Sequence, residues 1–247
     1  MGAYLFALQI YGDFSGYTDI ARGVSRLFGI EACPNFQQPY LSANITEFWR
    51  RWHISLSSWL RDYLYIPLGG NRCGKVRTYI NLMLTMLLGG LWHGAAWTFV
   101  IWGGLHGLYL AIHKAITGKK VNVKEADTLP KTLGQKLVKI LCVAGTFNLV
   151  CFAWIFFRAD TLNDALLYVS RIATAAPGLR LESGFQSAFF IYLLIVILLD
   201  LACERKKSEV PVLPRRAILR GCLYGCALFL LVFIGANNSD PFVYFQF

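Results

Sequence analysis

Charged residues are scarce in this sequence. They make up 15% of its 247 residues, and hydrophobic residues make up 56%, whereas a typical soluble domain carries about 25% charged residues. The apolar residues are concentrated in long blocks, which is typical of membrane proteins. The composition therefore excludes an ordinary soluble domain, and the length suffices for one sizeable domain.

Acidic residues are the scarcer charged class. There are 14 Asp and Glu residues against 24 Lys and Arg residues, which gives a net charge of +10. A basic balance can indicate nucleic-acid binding, but no basic stripe interleaved with aromatic residues supports that class here. The basic residues lie between the apolar blocks, as they do in membrane proteins whose positive loops stay in the cytoplasm.

Motifs for metal, disulfide and nucleotide binding are also missing. None of the seven cysteines forms a C-x-x-C pair, so we expect buried, apolar cysteines rather than zinc ligands or disulfides. None of the four histidines belongs to an H-E-x-x-H motif, and no metal site is predicted. The run IPLGGNRCGK departs from the phosphate-loop pattern because Val76 follows Lys75.

The apolar blocks predict an all-α, polytopic integral membrane protein. They cover residues 1–12 with a continuation to 28, 78–92, 95–113, 137–157, 188–203 and 217–236. The connecting segments 29–77, 114–136 and 204–216 are rich in Lys and Arg, whereas 158–187 is poor in them. We therefore expect the basic segments on the cytoplasmic side of the inner membrane and the C-terminal tail on the outer side.

The blocks 78–92 and 95–113 predict an unusual pair of helices. A helix from Tyr79 to Trp92 would be about 21 Å long at 1.5 Å per residue, whereas the hydrocarbon core is about 30 Å thick. The turn after it, which carries His93, is expected to end inside the membrane as a re-entrant, short-helix turn. Such a turn must be buried by protein or meet a water-filled cavity.

Residues 44–63 predict one amphipathic helix at the membrane interface. Asn44 and Glu47 resemble a capping box. One face carries Ile45, Phe48, Trp49, Trp52, Leu56, Trp59, Leu60 and Tyr63, and the arginines lie elsewhere. Tryptophans opposite arginines suit an interfacial helix. His53 lies at the edge of the apolar face, and its position alone fits either an interfacial histidine or a functional one.

His93 is the strongest candidate for chemistry. It lies in GGLWHGAAW, where small residues leave room beside the imidazole for another helix or a substrate. An ionisable side chain at membrane depth is a functional candidate, and a neutral imidazole is a suitable proton acceptor. A structural hydrogen bond is the alternative. We expect His106 to be packed beside the G-x-x-x-G of Gly103 and Gly107, and His113 to be interfacial.

Four runs resemble a known family. YGDFSGYTDIARG (11–23), FWRRWHISLSSWLRDYLYIPLGG (48–70), GGLWHGAAWTFVIWGGLHG (89–107) and FVYFQF (242–247) are similar to the membrane-bound O-acyltransferase family, in its bacterial branch that acetylates exported polysaccharides. The resemblance implies a single acyltransferase domain over 1–247. Family members are longer, so we expect this chain to lack their N-terminal helices, which would help to wall the catalytic chamber.

The resemblance also implies a mechanism. His93 and His53 would line a tunnel, with acetyl-CoA entering from the cytoplasm as donor substrate and no bound cofactor. His93 would take the proton of an acceptor hydroxyl, while His53 orients the donor, stabilises the oxyanion or relays the proton. Residues expected to line the tunnel or support it, or alternatively to anchor and pack helices, are Trp49, Trp52, Trp92, Arg61, Asp62 and Asn81.

Partners follow from the same resemblance. The polysaccharide branch works with an extracytoplasmic acetyltransferase that completes transfer to the polymer. The alternatives from other classes are an export subunit for polysaccharide or lipid and a non-catalytic membrane scaffold, which share the apolar helices and basic loops.

Overall fold

The computed structural model describes residues 2–118, 132–174, 183–208, 214 and 216–233. Over these residues the protein is helical and has no strand, which confirms the all-α prediction. The α-helices are α1 (Gly2–Leu27), α2 (Ile45–Arg51), α3 (Ile54–Leu60), α4 (Gly74–His93), α5 (Trp97–Thr117), α6 (Leu133–Arg158), α7 (Leu162–Ala173), α8 (Ser183–Lys206) and α9 (Ala217–Phe233). A 3-10 turn covers Pro39–Leu41, and a π-helical turn covers Arg61–Tyr65.

Helix α6 is central to the core. It packs against α1 and α5, and its buried face includes Val150, Ala153 and Trp154. From α1, Phe6 meets Trp154 edge to face at 6.1 Å between ring centroids. Trp52, which follows α2, lies 5.2 Å from Trp154. Because such aromatic pairs add to the energy of apolar burial, this cluster holds α1, α2 and α6 together.

Helices α4 and α5 form a closely packed hairpin. Gly90 of α4 and Gly103 of α5 face each other, and a Cβ placed on Gly103 would lie 3.3 Å from the Cα of Gly90. Gly107, one turn further along α5, lies against Met83 and Met86. The G-x-x-x-G of Gly103 and Gly107 therefore lets the backbone of α4 approach α5 closely.

The prediction of one continuous helix over 44–63 is wrong. Asn44 does cap α2, accepting from the Glu47 amide at 2.9 Å, but the helix ends at Arg51. His53 has a left-handed backbone with φ of 43°, and α3 starts after it. A left-handed backbone at a non-glycine residue costs a free energy of order 1–3 kcal/mol and is often found at functional sites. The break turns Trp59 and Tyr63 outward, where they are exposed.

Two further helix predictions need correction. Helix α4 begins at Gly74 rather than Tyr79, so its 20 residues span about 30 Å and helix length no longer places the turn inside the membrane. The segment 158–187, predicted as a connection, contains α7. The side chain of Thr161 caps α7 by accepting a hydrogen bond from the Asp164 amide at 3.2 Å. The apolar pattern did not take this capping residue into account.

The cysteine prediction is correct only in part. Cys151 and Cys203 are buried, whereas the other five are exposed. Three of those five, Cys142, Cys222 and Cys226, lie on the outward faces of α6 and α9. An apolar block therefore did not imply burial within this protein.

Two described helices are long and apolar enough to cross a membrane, α5 and α6. Much of their surface faces outward, and exposed apolar side chains such as Leu137 and Leu141 cover α6. The C-terminal segment after residue 233, including FVYFQF, lies outside the described residues, as does most of the charged segment 114–136.

Candidate active site

The fold brings together His53 and His93, which come from separate sequence motifs. The ring of Trp92 lies between them, 6.3 Å from His53 and 4.9 Å from His93 between centroids. The two imidazoles are close enough to interact electrostatically. His53 follows α2 and His93 ends α4, so the break between α2 and α3 and the tip of the α4–α5 hairpin position the pair.

His53 is a buried imidazole outside the membrane-spanning helices. Its side chain is 8% exposed, and burial lowers its pKa to about 4, because a charged ring would lose its hydration. Phe14 of α1 meets it edge to face at 4.8 Å, and its Nδ1 lies 3.4 Å from the hydroxyl of Ser55. The ring is therefore neutral at neutral pH and can accept or relay a proton.

His93 is half-buried among aromatic rings. Trp102 and Phe157 each lie 5.1 Å from it between centroids. The neighbouring glycines do not leave open space, because Phe99 fills the position beside Gly94 and the Phe99 carbonyl fills that beside Gly90. Helix α5, one of the two predicted occupants, lies in that room. The imidazole remains partly accessible and is not sealed by hydrocarbon.

An aromatic layer lies beside His93. The indole Nε1 of Trp49 donates to Nδ1 of His106 at 3.2 Å. Trp102 lies 5.0 Å from His106 and 5.1 Å from His93 between centroids. His106 is fully buried, as predicted for a packed histidine. The layer of Trp49, His106 and Trp102 therefore connects α2 to the end of α4 that carries His93.

A basic cavity of about 1060 Å³ opens on the other side of Trp49. It lies between α2, α3, the start of α4 and the end of α5. Its lining includes the cations Arg50, Arg61, Arg72, Lys75 and Lys114 and the apolar side chains Ile54, Leu60, Leu82, Met86 and Leu110. No carboxylate lines it in the described part of the chain. Such a cavity suits a ligand with an anionic portion and an apolar one.

The remaining predicted residues have different surroundings. Trp52 is 2% exposed and belongs to the core, so it does not line the cavity. Asn81 is fully buried, and its amide nitrogen donates to the carbonyls of Leu68 and Gly70 at 3.0 and 3.2 Å. It therefore holds the loop before α4.

Arg61 and Asp62 form an exposed ion pair with each other at 2.7 Å. Arg61 lines the basic cavity and Asp62 does not. An exposed pair of this kind contributes little to stability. Of these two side chains, only the Arg61 guanidinium therefore lies at the cavity.

Residues 1–120 match the membrane-bound O-acyltransferase family. This range contains the break at His53, the hairpin that carries His93, the aromatic layer and the whole lining of the basic cavity. The chain belongs to the membrane-bound O-acyltransferase family. Every predicted site residue therefore lies in the part of the chain that matches the family.

Individual relatives are similar over about two thirds of the chain. A probable alginate O-acetylase of Azotobacter vinelandii is 53% identical over 165 residues, which cover 67% of this chain and 30% of the relative. A peptidoglycan O-acetyltransferase of Helicobacter pylori is 48% identical over 166 residues, which cover 67% of this chain and 30% of the relative. A teichoic acid D-alanyltransferase of Bacillus subtilis is 35% identical over 167 residues, which cover 65% of this chain and 41% of the relative.

These alignments cover only part of each relative. The aligned part of this chain spans about 30% of the length of the alginate O-acetylase and the peptidoglycan O-acetyltransferase. The names of the three relatives give transfer of an acyl group, with alginate, peptidoglycan and teichoic acid as the respective acceptors.

Sequence reasoning missed most of the basic cavity. It singled out Arg61 but not Arg50, Arg72, Lys75 or Lys114, and it assigned His113 to the interface without its partner. The His113 ring lies 2.9 Å from the Thr46 hydroxyl, at the cavity. The available signal was the basic character of the segments 29–77 and 114–136, which meet only in the folded chain.

Proposed function

We propose that this chain forms part of a membrane O-acyltransferase of the inner membrane. It would move an acetyl group from cytoplasmic acetyl-CoA towards hydroxyl groups of an exported polysaccharide or cell-wall polymer. The observation that carries the proposal is the pairing of His53 and His93 about Trp92. The activities named for the similar acetylases and acetyltransferases support the reaction class.

In the proposed mechanism, His93 is the general base. An acceptor hydroxyl attacks the thioester carbonyl carbon while its proton moves to His93. The carbon–sulfur bond then breaks, and the leaving thiolate takes the proton. The half-buried position of His93 supports this role because the ring is partly accessible yet shielded from bulk water. Neutral His53 would orient the base or relay the proton.

The basic cavity is the proposed entry site for the donor. Coenzyme A carries several phosphates, and Arg and Lys side chains are suited to bind them. Arg50, Arg72 and Lys75 form no ion pair with a carboxylate among the described residues, so their charges are available to an anionic ligand. The cavity is lined by segments that the charge distribution assigns to the cytoplasmic side, where acetyl-CoA is found.

The acceptor would approach from the outer side. An extracytoplasmic acetyltransferase that takes over the acetyl group is the proposed protein partner, and the tail after residue 233 is expected to face that compartment. The named acceptors of the relatives, alginate and peptidoglycan, indicate the class of polymer.

The test uses membranes that contain the complete protein and labelled acetyl-CoA. His93→Ala should lower acetyl transfer by about 10²–10⁴-fold, the usual contribution of a general base, while the protein still inserts. Tyr224→Ala, which removes a ring 60% exposed on α9, is the control and should transfer normally.

Wild-type transfer by His93→Ala would refute the general-base assignment. Polymer export without any labelling would instead support an export subunit. Absence of both activities from the membranes would support a scaffold.

A further inference from the structure

Three unsatisfied ring nitrogens belong to one buried cluster. Among the described residues, the buried side-chain atoms without a hydrogen-bond partner include Nε1 of Trp102, Nε2 of His106 and Nε1 of Trp154. Each of these side chains is at most 2% exposed. Trp102 is the middle ring, 5.0 Å from His106 and 5.9 Å from Trp154 between centroids. Most buried polar groups in proteins are paired, so a cluster of this kind calls for an explanation.

The hydrogen bond from Trp49 determines where His106 carries its proton. An indole nitrogen can only donate, so Nδ1 of His106 accepts from Trp49 and bears no hydrogen. The neutral ring then carries its proton on Nε2. His106 and Trp102 therefore present two buried N–H donors on adjacent rings. Leaving such a donor unsatisfied costs about 1–3 kcal/mol.

These donors lie between the basic cavity and His93. Trp49 lines the cavity and is bonded to His106, while Trp102 packs edge to face on His93 at 5.1 Å. Met86, another cavity residue, lies against Gly103, the residue after Trp102. The aromatic layer therefore lies on a direct route for an acyl group from the cavity to His93.

We propose that Nε2–H of His106 and Nε1–H of Trp102 bind the carbonyl oxygen of the acyl group, an inference that rests on the proposed function. As the acceptor oxygen bonds to the carbonyl carbon, the carbonyl oxygen gains negative charge, and the two N–H groups stabilise it. The acceptor proton moves to His93. Collapse of the intermediate then restores the carbonyl, breaks the carbon–sulfur bond and releases the thiol. His106 is then a catalytic residue in addition to His93.

A matched pair of substitutions tests this role. His106→Asn places an amide oxygen near the former Nδ1 and keeps an acceptor for Trp49, but it removes the donor at Nε2. His106→Gln places an amide nitrogen near Nε2 and keeps that donor. Both variants, His93→Ala and the wild type are compared in membranes with labelled acetyl-CoA, and thermal stability is measured in detergent.

We expect His106→Asn to lower kcat by about 10²–10³-fold, the effect of losing one oxyanion donor, with a smaller change in KM for the donor. His106→Gln should retain at least about ten times more activity than His106→Asn. A wild-type kcat for His106→Asn would overturn the inference. Equal losses in both variants would also overturn it, since packing alone would then explain the role of His106. Normal transfer by His93→Ala would separately refute the general-base assignment, and absence of label transfer by the wild type would contradict the proposed function.

Discussion

Substitution of Gly103 by alanine tests whether close packing of α4 on α5 positions His93. A Cβ at residue 103 would lie less than 3.0 Å from the carbonyl oxygen of Met86 and 3.3 Å from the Cα of Gly90. Both neighbours are backbone atoms of α4, which cannot rotate away as a flexible side chain does. The helices must therefore separate by roughly 1 Å, and overpacking of this kind typically costs about 1–3 kcal/mol.

The separation would move His93 relative to Trp102 and Phe99, because His93 ends α4 and both rings belong to α5. A displacement of about 1 Å can lower catalysis by about 10²-fold. We therefore expect Gly103→Ala to lower acetyl transfer by about two orders of magnitude and to lower the midpoint of thermal unfolding in detergent. Acetyl transfer is measured with labelled acetyl-CoA in membranes, at matched amounts of inserted protein.

Gly104→Ala is the matched control. A Cβ there would meet only Cδ2 of Leu87, at an ordinary contact distance of 3.6 Å. Alanine also favours a helix over glycine by about 1 kcal/mol, so this variant should be as stable as the wild type or more stable, with normal transfer. Wild-type activity and stability in Gly103→Ala would refute the claim that the close approach of α4 and α5 sets the position of His93.

Two further predictions concern the basic cavity and His53. Replacing Arg72 and Lys75 together by glutamine should raise KM for acetyl-CoA at least about tenfold, more strongly at low salt because charge pairing is screened, with little change in kcat. The control Arg171→Gln, on α7 and outside the cavity, should leave KM unchanged. An unchanged KM in the double variant would contradict binding of the coenzyme A phosphates in the cavity. Burial lowers the folded-state pKa of His53 to about 4, below an unfolded value of about 6.5. Its stabilising contribution is therefore complete above about pH 6.5 and is lost as pH falls towards 4, by up to about 3 kcal/mol. Thermal unfolding of His53→Gln in detergent should vary less between pH 7 and 4 than that of the wild type, and parallel curves would contradict this assignment.

Local sequence patterns predicted the helices well where a long apolar run was present. Long apolar runs predicted α1, α5, α6 and α8 because a helix that faces lipid or core needs continuous apolar residues. The same reasoning placed the start of α4 five residues late, since the first turn of the helix contains the charged residues Lys75 and Arg77. It also missed α7, whose start depends on capping by Thr161 rather than on hydrophobicity.

The periodicity of the apolar residues could not predict the break at His53. The helical spacing of aromatic residues continues through Trp52 and Trp59, so the pattern favours an unbroken helix. In the fold, Ile54 instead donates to the Asn35 carbonyl and Ser55 to the Asn35 side chain, both at 3.0 Å. These contacts compensate the lost helical hydrogen bonds, and no local pattern contains residues 20 positions apart.

The sequence by itself determined that the chain is helical and apolar and that it belongs in a membrane, since composition and block length are local properties. It also singled out His93 and His53 as candidates for chemistry. Only the tertiary structure decided that these two rings share Trp92, that Nε2 of His106 has no hydrogen-bond partner among the described residues, and that five cations of the same described part of the chain line one cavity. Each of those facts depends on contacts between distant segments, and such contacts are set by packing of the whole fold rather than by neighbouring residues.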